Sequence, residues 1–186
     1  HPRPGLSILG GASNAGGMFI NHARRLLAAH DPRLDPGPIP IWVPYIKGER
    51  TPVHDHTLRA ALYDMEVSQG PDQLMRAAYE ASAFTARRLI ELAGASTKRI
   101  VASGGGTHDE QWMQALADCT NLPVDVVAVP EGAALGAAWH ARVVAGLDQR
   151  GDSLRWVRHG RRYEPDPRWV SACEERFQRW SELARV

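Results

Sequence analysis

This chain of 186 residues has few cysteines, almost no net charge and no long apolar run. Its two cysteines predict small core residues and no disulfide framework. The 22 basic and 21 acidic side chains balance, which disfavours binding to nucleic acid or to an acidic membrane surface. No apolar run approaches the ~20 residues that cross a bilayer, and the first residues are rich in proline rather than charged and then apolar. These absences predict a cytoplasmic protein with neither nucleic acid nor membrane among its partners.

A run of three glycines, Gly104 to Gly106, is the most informative feature that is present. It follows a short β-branched segment and precedes a helical pattern, so it predicts a strand, a tight turn and a helix. Without Cβ atoms, such a turn lets a flat base or a ribose approach the main chain, and the next helix begins with free N–H groups. The alternative is a flexible turn with no ligand.

The segments around this turn alternate in type. We predict strands over Arg99–Ser103 and Leu122–Val129 and helices over Glu110–Thr120 and Glu131–Leu147. Crossovers of this length imply parallel pairing in an α/β sheet, whose ligands bind beyond the carboxyl ends of the strands. The small residues of the last helix predict close packing.

Further elements precede this unit. We predict a strand over Leu6–Leu9, a helix over Ala15–Ala29 and a strand over Ile41–Val43. The longest helix starts at Pro71 and stops at Gly94. Two apolar faces are predicted, formed in the first helix by Met18, Phe19, Leu26 and Leu27 and in the longest by Met75, Ala78, Ser82, Phe84, Leu89 and Leu92.

Four motifs together resemble the C-terminal domain of the FGGY carbohydrate kinases, in a xylulokinase-like form. They cover about residues 6 to 146 and are Asn14–Gly17, Pro44–Pro52, Gly104–Val124 and Glu131–Ala138. The resemblance implies a ribonuclease H-like (actin/hexokinase-like ATPase) α/β fold, with a mixed sheet flanked by helices. It also implies that residues 1–186 are the ATP-binding half of a two-domain enzyme, with a helical extension over 152–186.

The resemblance assigns the binding residues as well. Gly105 and Gly106 would contact the adenosine of ATP, and Gly16 would approach its phosphates, with Asn14 as a helix cap and Gly17 as a close-contact site. Asp109 stands where relatives often have asparagine or serine near the adenine. Asp109 has two open interpretations, an acceptor for the adenine amino group or a helix cap.

No residue of this chain is assigned as catalytic, because the family places its catalytic aspartate in the N-terminal sugar-binding domain. Mg²⁺ would be carried by the ATP phosphates. His54 and His56 lack further ligands at metal spacing, so we expect no protein metal site, and His108 is expected at the rim of the nucleotide site. Glu49 and Arg50 are expected to form a structural ion pair, with a contact to the other domain as the alternative.

Trp169, Cys173, Phe177 and Trp180 predict one apolar face of a helix near the end of the chain. We expect this face to dock on the domain itself. A contact with another domain or with a second subunit in a homodimer is the alternative.

Two functions follow from these observations. The first is the ATP-binding half of a kinase that phosphorylates a ketopentose such as xylulose, or a related sugar or polyol, and that is inactive without its sugar-binding half. The second is a non-catalytic domain of the same fold that binds a nucleotide or a partner.

Overall fold

The computed structural model describes residues 7–28, 34–129, 131–149 and 159–185. Helices and strands alternate along most of these ranges, as the sequence predicts. The elements are α1 (Gly17–Leu26), β1 (Ile41–Val43), β2 (Ala61–Tyr63), α2 (Pro71–Ala93), β3 (Ile100–Ala102), α3 (Glu110–Thr120), β4 (Val124–Val127), α4 (Gly132–Val144), β5 (His159–Tyr163) and α5 (Pro167–Ala184).

The strands form two sheets. β1 and β2 pair antiparallel, while β4 lies between β3 and β5 in a three-stranded mixed sheet. β3 and β4 are parallel, with Ile100 opposite Val124, which confirms the predicted pairing. β5 runs antiparallel to β4 and was not predicted. The sequence of β5 lacks the apolar alternation of a typical strand. Its Arg162 is exposed and forms an ion pair with Asp125, the residue opposite it on β4.

α2 begins and ends where the sequence predicts. Pro71 occupies its first turn, and Gly94 ends it with a left-handed φ of 61°. Met75, Ala78 and Phe84 are buried as predicted, but Leu92 is 53% exposed because it lies in the last turn, beyond the core.

The C-terminal helix α5 completes the main core. Its four predicted apolar residues are all buried. The ring centroid of Phe84 in α2 lies 5.6 Å from that of Phe177 and 5.9 Å from that of Trp180. Tyr45 donates its hydroxyl hydrogen to the carbonyl oxygen of Ala184 at the end of this helix. The expectation that α5 docks on the domain itself is confirmed. Residues 152–158 of the predicted extension lie outside the described residues.

Near the N-terminus the predicted strand is wrong, and the predictions for the first helix are confirmed only in part. Residues 7–9 form no strand, and Ile8 and Leu9 are exposed; Leu6 lies outside the described residues. α1 starts at Gly17 because Gly16 has a non-helical backbone, and it stops before Ala28, which has a left-handed φ of 56°. Of its predicted apolar face, Phe19 is buried and Leu27 packs against the core, whereas Met18 and Leu26 are exposed.

α4 also differs from its prediction. The helix spans Gly132–Val144, and none of its residues is buried by the described part of the chain. The small residues predicted to pack closely, such as Ala133 and Ala137, are exposed. Among the described helices, none combines the length and the apolar character that crossing a membrane requires.

Candidate functional site

The glycine turn, defined here as residues 104–108, begins directly after β3. Gly104 has a φ of +96°, which favours glycine, and one turn of 3₁₀ helix follows over Gly105–His108. Both the amide and the hydroxyl group of Thr107 donate to the carbonyl oxygen of Gly104. The turn is therefore a defined structure at the carboxyl edge of the parallel strands β3 and β4.

Two backbone donors of this turn have no partner among the described residues. They are the amides of Gly105 and Gly106. A Cβ atom added to Gly105 would meet nothing within 4 Å, whereas one added to Gly106 would lie 2.5 Å from the ring of Trp112. Packing against Trp112 therefore leaves no room for a side chain at position 106, whereas the space beside position 105 is open.

Asp109 links the glycine turn to the helices. One carboxylate oxygen accepts a hydrogen bond from the amide of Trp112 at 3.0 Å, so Asp109 caps α3. The other oxygen forms an ion pair with Arg24 of α1. The cap interpretation is thus confirmed. His108 is exposed beside it.

The start of α1 is a second group of backbone donors. No side chain in the described ranges caps this helix, and the space beside the α-carbons of Gly16 and Gly17 is open. Asn14 was expected to cap this helix and does not. Its side-chain nitrogen Nδ2 instead donates to the carbonyl oxygens of Lys47 and Gly48 at 3.3 and 3.1 Å.

Glu49 and Arg50 hold the turn that precedes α1. Glu49 is 3% exposed, and its carboxylate accepts from the Ser13 hydroxyl and the Asn14 amide, both at 2.8 Å. The Arg50 guanidinium donates to the side chain of Asn14 and to the carbonyl oxygen of Ser13. Among the described contacts there is no ion pair between Glu49 and Arg50, so the expected pair is wrong: each side chain binds the turn instead.

These groups lie along two neighbouring helices. The Arg24–Asp109 pair fastens α1 to the start of α3, and Gly16 lies about 12 Å from Arg24 along the α1 axis. A Cβ atom added to Gly132 would lie 3.9 Å from the hydroxyl oxygen of Ser103. The start of α4 therefore also faces the carboxyl end of β3.

The histidines at positions 54 and 56 are both exposed. The carboxylate of Asp55, which lies between them, accepts hydrogen bonds from the hydroxyl and the amide of Thr57 at 2.6 and 2.7 Å. These bonds lower the pKa of Asp55. Asp55 is thus occupied in shaping its own turn.

A buried ionic network joins α2, α3 and α5 and was not predicted from the sequence. Arg76 binds Glu80 at 2.9 Å and Asp118 at 3.0 Å, and Arg176 binds Glu80 at 2.6 Å. Burial opposes ionisation of Glu80, but the two arginines outweigh it and lower the pKa of this carboxyl group. The only local sign is the four-residue spacing of Arg76 and Glu80, which is common on exposed helices too.

The sequence and the fold of this chain are matched in known proteins. Residues 11–145 match the model of the C-terminal domain of the FGGY family of carbohydrate kinases. The chain is 35% identical over 133 residues to a glycerol kinase of Roseobacter denitrificans, covering 67% of this chain and 27% of that protein. A xylulose kinase of Bacillus subtilis is 35% identical over 109 residues, which is 57% of this chain and 22% of that protein. The crystal structure of xylulose kinase from Rhodospirillum rubrum matches with a TM-score of 0.78 and 28% identity, over 94% of this chain and 38% of that one.

The fold is therefore that of the actin/hexokinase-like ATPases, with a mixed sheet flanked by helices. Within that class the chain belongs to the FGGY family of carbohydrate kinases and carries its C-terminal domain. It spans about a quarter of the length of the glycerol kinase that it matches.

Proposed function

We propose that this chain is the ATP-binding half of a kinase that transfers the γ-phosphate of ATP to a hydroxyl group of a sugar or polyol. The observation that carries the proposal is the pair of amides at Gly105 and Gly106, which have no partner in the described part of the chain. They lie at the carboxyl edge of two parallel strands, in a domain of a kinase family. Ligands of parallel α/β sheets bind at this edge.

The residues of the glycine turn fit the adenosine part of ATP. The open space beside Gly105 admits a flat ring, and the amides of Gly105 and Gly106 supply donors for it. Asp109 contributes by holding the start of α3. The remaining lone pairs of its carboxylate can accept from the adenine amino group, but they cannot donate to a ring nitrogen.

The start of α1 fits the phosphate end. Its first amides are capped by none of the described side chains, Gly16 and Gly17 leave room for close approach, and the positive end of a helix favours an anion. Mg²⁺ would be carried by the phosphates and keep several waters. Glu49 and Arg50 act indirectly, since they hold the turn from which α1 begins.

Catalysis would depend on holding the phosphoryl group in position and on offsetting the negative charge of its oxygens. ATP supplies the transferable phosphoryl group, and the amides of this chain hold it in place and offset charge on its oxygens. We assign the base that deprotonates the acceptor hydroxyl to a sugar-binding domain outside this chain. Residues 1–186 alone are therefore expected to bind nucleotide in the cytoplasm without turning over.

The acceptor class is a polyhydroxylated compound of small size. The matched relatives are named for glycerol and for xylulose at the same 35% identity. A ketopentose such as xylulose is therefore one candidate within a class that includes related sugars and polyols.

Calorimetric titration with ADP tests the proposal. The Cβ atom added in Gly105→Ala meets no atom of the described chain, so the variant is expected to keep the melting temperature. It should weaken ADP binding about tenfold, which corresponds to a loss of ~1.4 kcal/mol of binding free energy. The matched control is Gly37→Ala in an exposed loop, with unchanged affinity expected. Equal affinity in both variants, or no heat with the unmodified chain, would contradict the proposal. Phosphorylation of glycerol or xylulose by this chain alone would contradict the assigned location of the base.

A further inference from the structure

The two cysteines of the chain lie next to each other in the core. Cys119 is on α3 and Cys173 is on α5, 54 residues apart in sequence, and their sulfur atoms are 3.3 Å apart. Both are free thiols, and both are 1% exposed or less. Formation of an S–S bond at roughly 2.0 Å needs a shift of only about 1.3 Å.

The charges around the pair favour reaction at Cys173. Its sulfur accepts from the guanidinium groups of Arg76 at 3.9 Å and Arg176 at 3.8 Å, and the Cys119 thiol also points its hydrogen at this sulfur. A carboxylate oxygen of Glu80 accepts from the Cys173 thiol at 3.8 Å, so the sulfur that both guanidinium groups border also has a proton acceptor beside it. Burial, followed by the hydrogen bond to Cys173, raises the pKa of Cys119, which keeps its proton.

A metal site is the competing interpretation of the same atoms. Ligand atoms of Glu80, Cys119 and Cys173 lie within 4.8 Å of one another. However, both oxygens of Glu80 already accept from Arg176, and the two guanidinium groups also border Cys173. A cation bound there would sit beside two fixed positive charges. The arrangement therefore suits sulfur chemistry better than metal binding.

We propose that Cys119 and Cys173 are a redox modification site that forms an intrachain disulfide with hydrogen peroxide as the oxidant. The Cys173 sulfur attacks one peroxide oxygen, the O–O bond breaks, and the leaving hydroxide takes the proton that the Cys173 thiol releases, to become water. The Cys119 sulfur then attacks the sulfenic sulfur of Cys173, so that the S–S bond forms, the S–O bond breaks and the oxygen leaves as a second water with the Cys119 proton. Two thiols and one peroxide thus give one disulfide and two waters.

A cavity borders the Cys119 side of the pair, and the Cys173 sulfur lies 3.3 Å beyond the Cys119 sulfur. A cavity of about 300 Å³ is lined by Cys119 together with Arg87, Val170 and Glu174. A water molecule occupies roughly 30 Å³ in the liquid, so the cavity has room for peroxide. Large disulfide reagents would be excluded by the burial of both thiols.

The disulfide would tie α3 to α5 and close a loop of 54 residues. Because such a link restricts the unfolded chain, it should raise the melting temperature by about 5 to 15 °C. This effect does not depend on nucleotide binding, so it stands or fails separately from the proposed function.

Intact-mass measurement of the folded 186-residue chain tests the proposal. The reduced chain is treated with hydrogen peroxide and then alkylated in denaturant. The expected product has lost about 2 Da, takes up no alkylating group, melts at the higher temperature and is restored by dithiothreitol. Digestion should yield a single linked peptide pair containing Cys119 and Cys173.

The matched controls are Cys119→Ala and Cys173→Ala, which cannot form the link and should show no rise in melting temperature on oxidation. Uptake of two alkylating groups after peroxide, gains of about 16 or 32 Da on one cysteine of the unmodified chain, or a disulfide-linked dimer would overturn the proposal. Protection of both thiols by Zn²⁺, without loss of mass on oxidation, would assign a metal site and overturn it as well.

Discussion

Arg24 of α1 forms an ion pair with Asp109, the residue that caps α3. One carboxylate thereby joins two helices, since its other oxygen accepts from the amide of Trp112. The proposed phosphate end and adenosine end of the site are connected through this side chain. Asp109 thus shapes the nucleotide site whether or not it touches the nucleotide.

Replacement of Asp109 should separate its two structural roles. Asp109→Ala loses the cap and the ion pair, and we expect the free energy of unfolding to fall by about 1 to 2 kcal/mol. Asp109→Asn keeps a capping oxygen and should lose about half as much, because Arg24 is 37% exposed and its pair is weakened by solvent. Urea unfolding of both variants and of Arg24→Gln measures the difference. Equal losses in the alanine and asparagine variants would refute the cap as the larger contribution.

The two central glycines of the turn should respond differently to alanine. In Gly106→Ala the new Cβ atom would lie 2.5 Å from the Trp112 ring, and overpacking of this kind costs about 1 to 3 kcal/mol. Gly105→Ala meets no atom within 4 Å and should leave stability nearly unchanged. Thermal unfolding of the two variants is the measurement, and a reversed order would contradict the described turn.

Glu49 should be important for stability although it lies in a loop. Its buried carboxylate accepts from the Ser13 hydroxyl and the backbone amide of Asn14, so Glu49→Ala leaves two partly buried donors unpaired and should cost about 1 to 3 kcal/mol. Denaturant unfolding measures this loss. Glu175→Ala, at an exposed position of α5, is the control and should change stability by less than about 0.5 kcal/mol. A loss in Glu49→Ala as small as in the control would show that the turn does not depend on this carboxylate.

Stability should depend on pH through Glu80. Its pKa is lower in the folded chain than the ordinary value of 4.5, so its contribution is present above pH 4.5 and is lost as the pH falls through the folded pKa. Glu80→Gln should cost about 3 to 5 kcal/mol at pH 7, since it leaves Arg76 and Arg176 without their charged partner. Urea unfolding at pH 7 and between about pH 2 and 4.5 measures both effects. The difference from the unmodified chain should shrink in the acid range, and a constant difference would contradict the assigned ionisation.

Local patterns predicted the elements whose ends are marked in the sequence. Pro71 and Gly94 bracket α2 because proline suits a first helical turn and glycine adopts the left-handed stop at little cost. The parallel pairing of β3 with β4 followed from the helix-length crossover between them. β5 escaped prediction because a strand that uses arginines for ion pairs lacks the apolar alternation by which strands are recognised.

The contacts missed in and around the site join residues that are distant in sequence. Glu49 binds Asn14 across 35 positions, and Arg176 binds Glu80 across 96. Neither residue differs from an exposed surface charge when only its neighbours in sequence are considered. The same holds for the two cysteines, which the sequence placed in the core without bringing them together.

The amino-acid sequence by itself determined the fold class, the family and the position of the glycine turn, because apolar periodicity and glycine conformation act over a few neighbouring residues. Only the tertiary structure decided that Asp109 is a cap paired with Arg24, that Glu49 and Arg50 hold the turn before α1, and that Cys119 contacts Cys173. The reason is physical: burial and Coulomb attraction depend on distance in space, and distance in space between remote segments is set by how α1, α2, α3 and α5 pack.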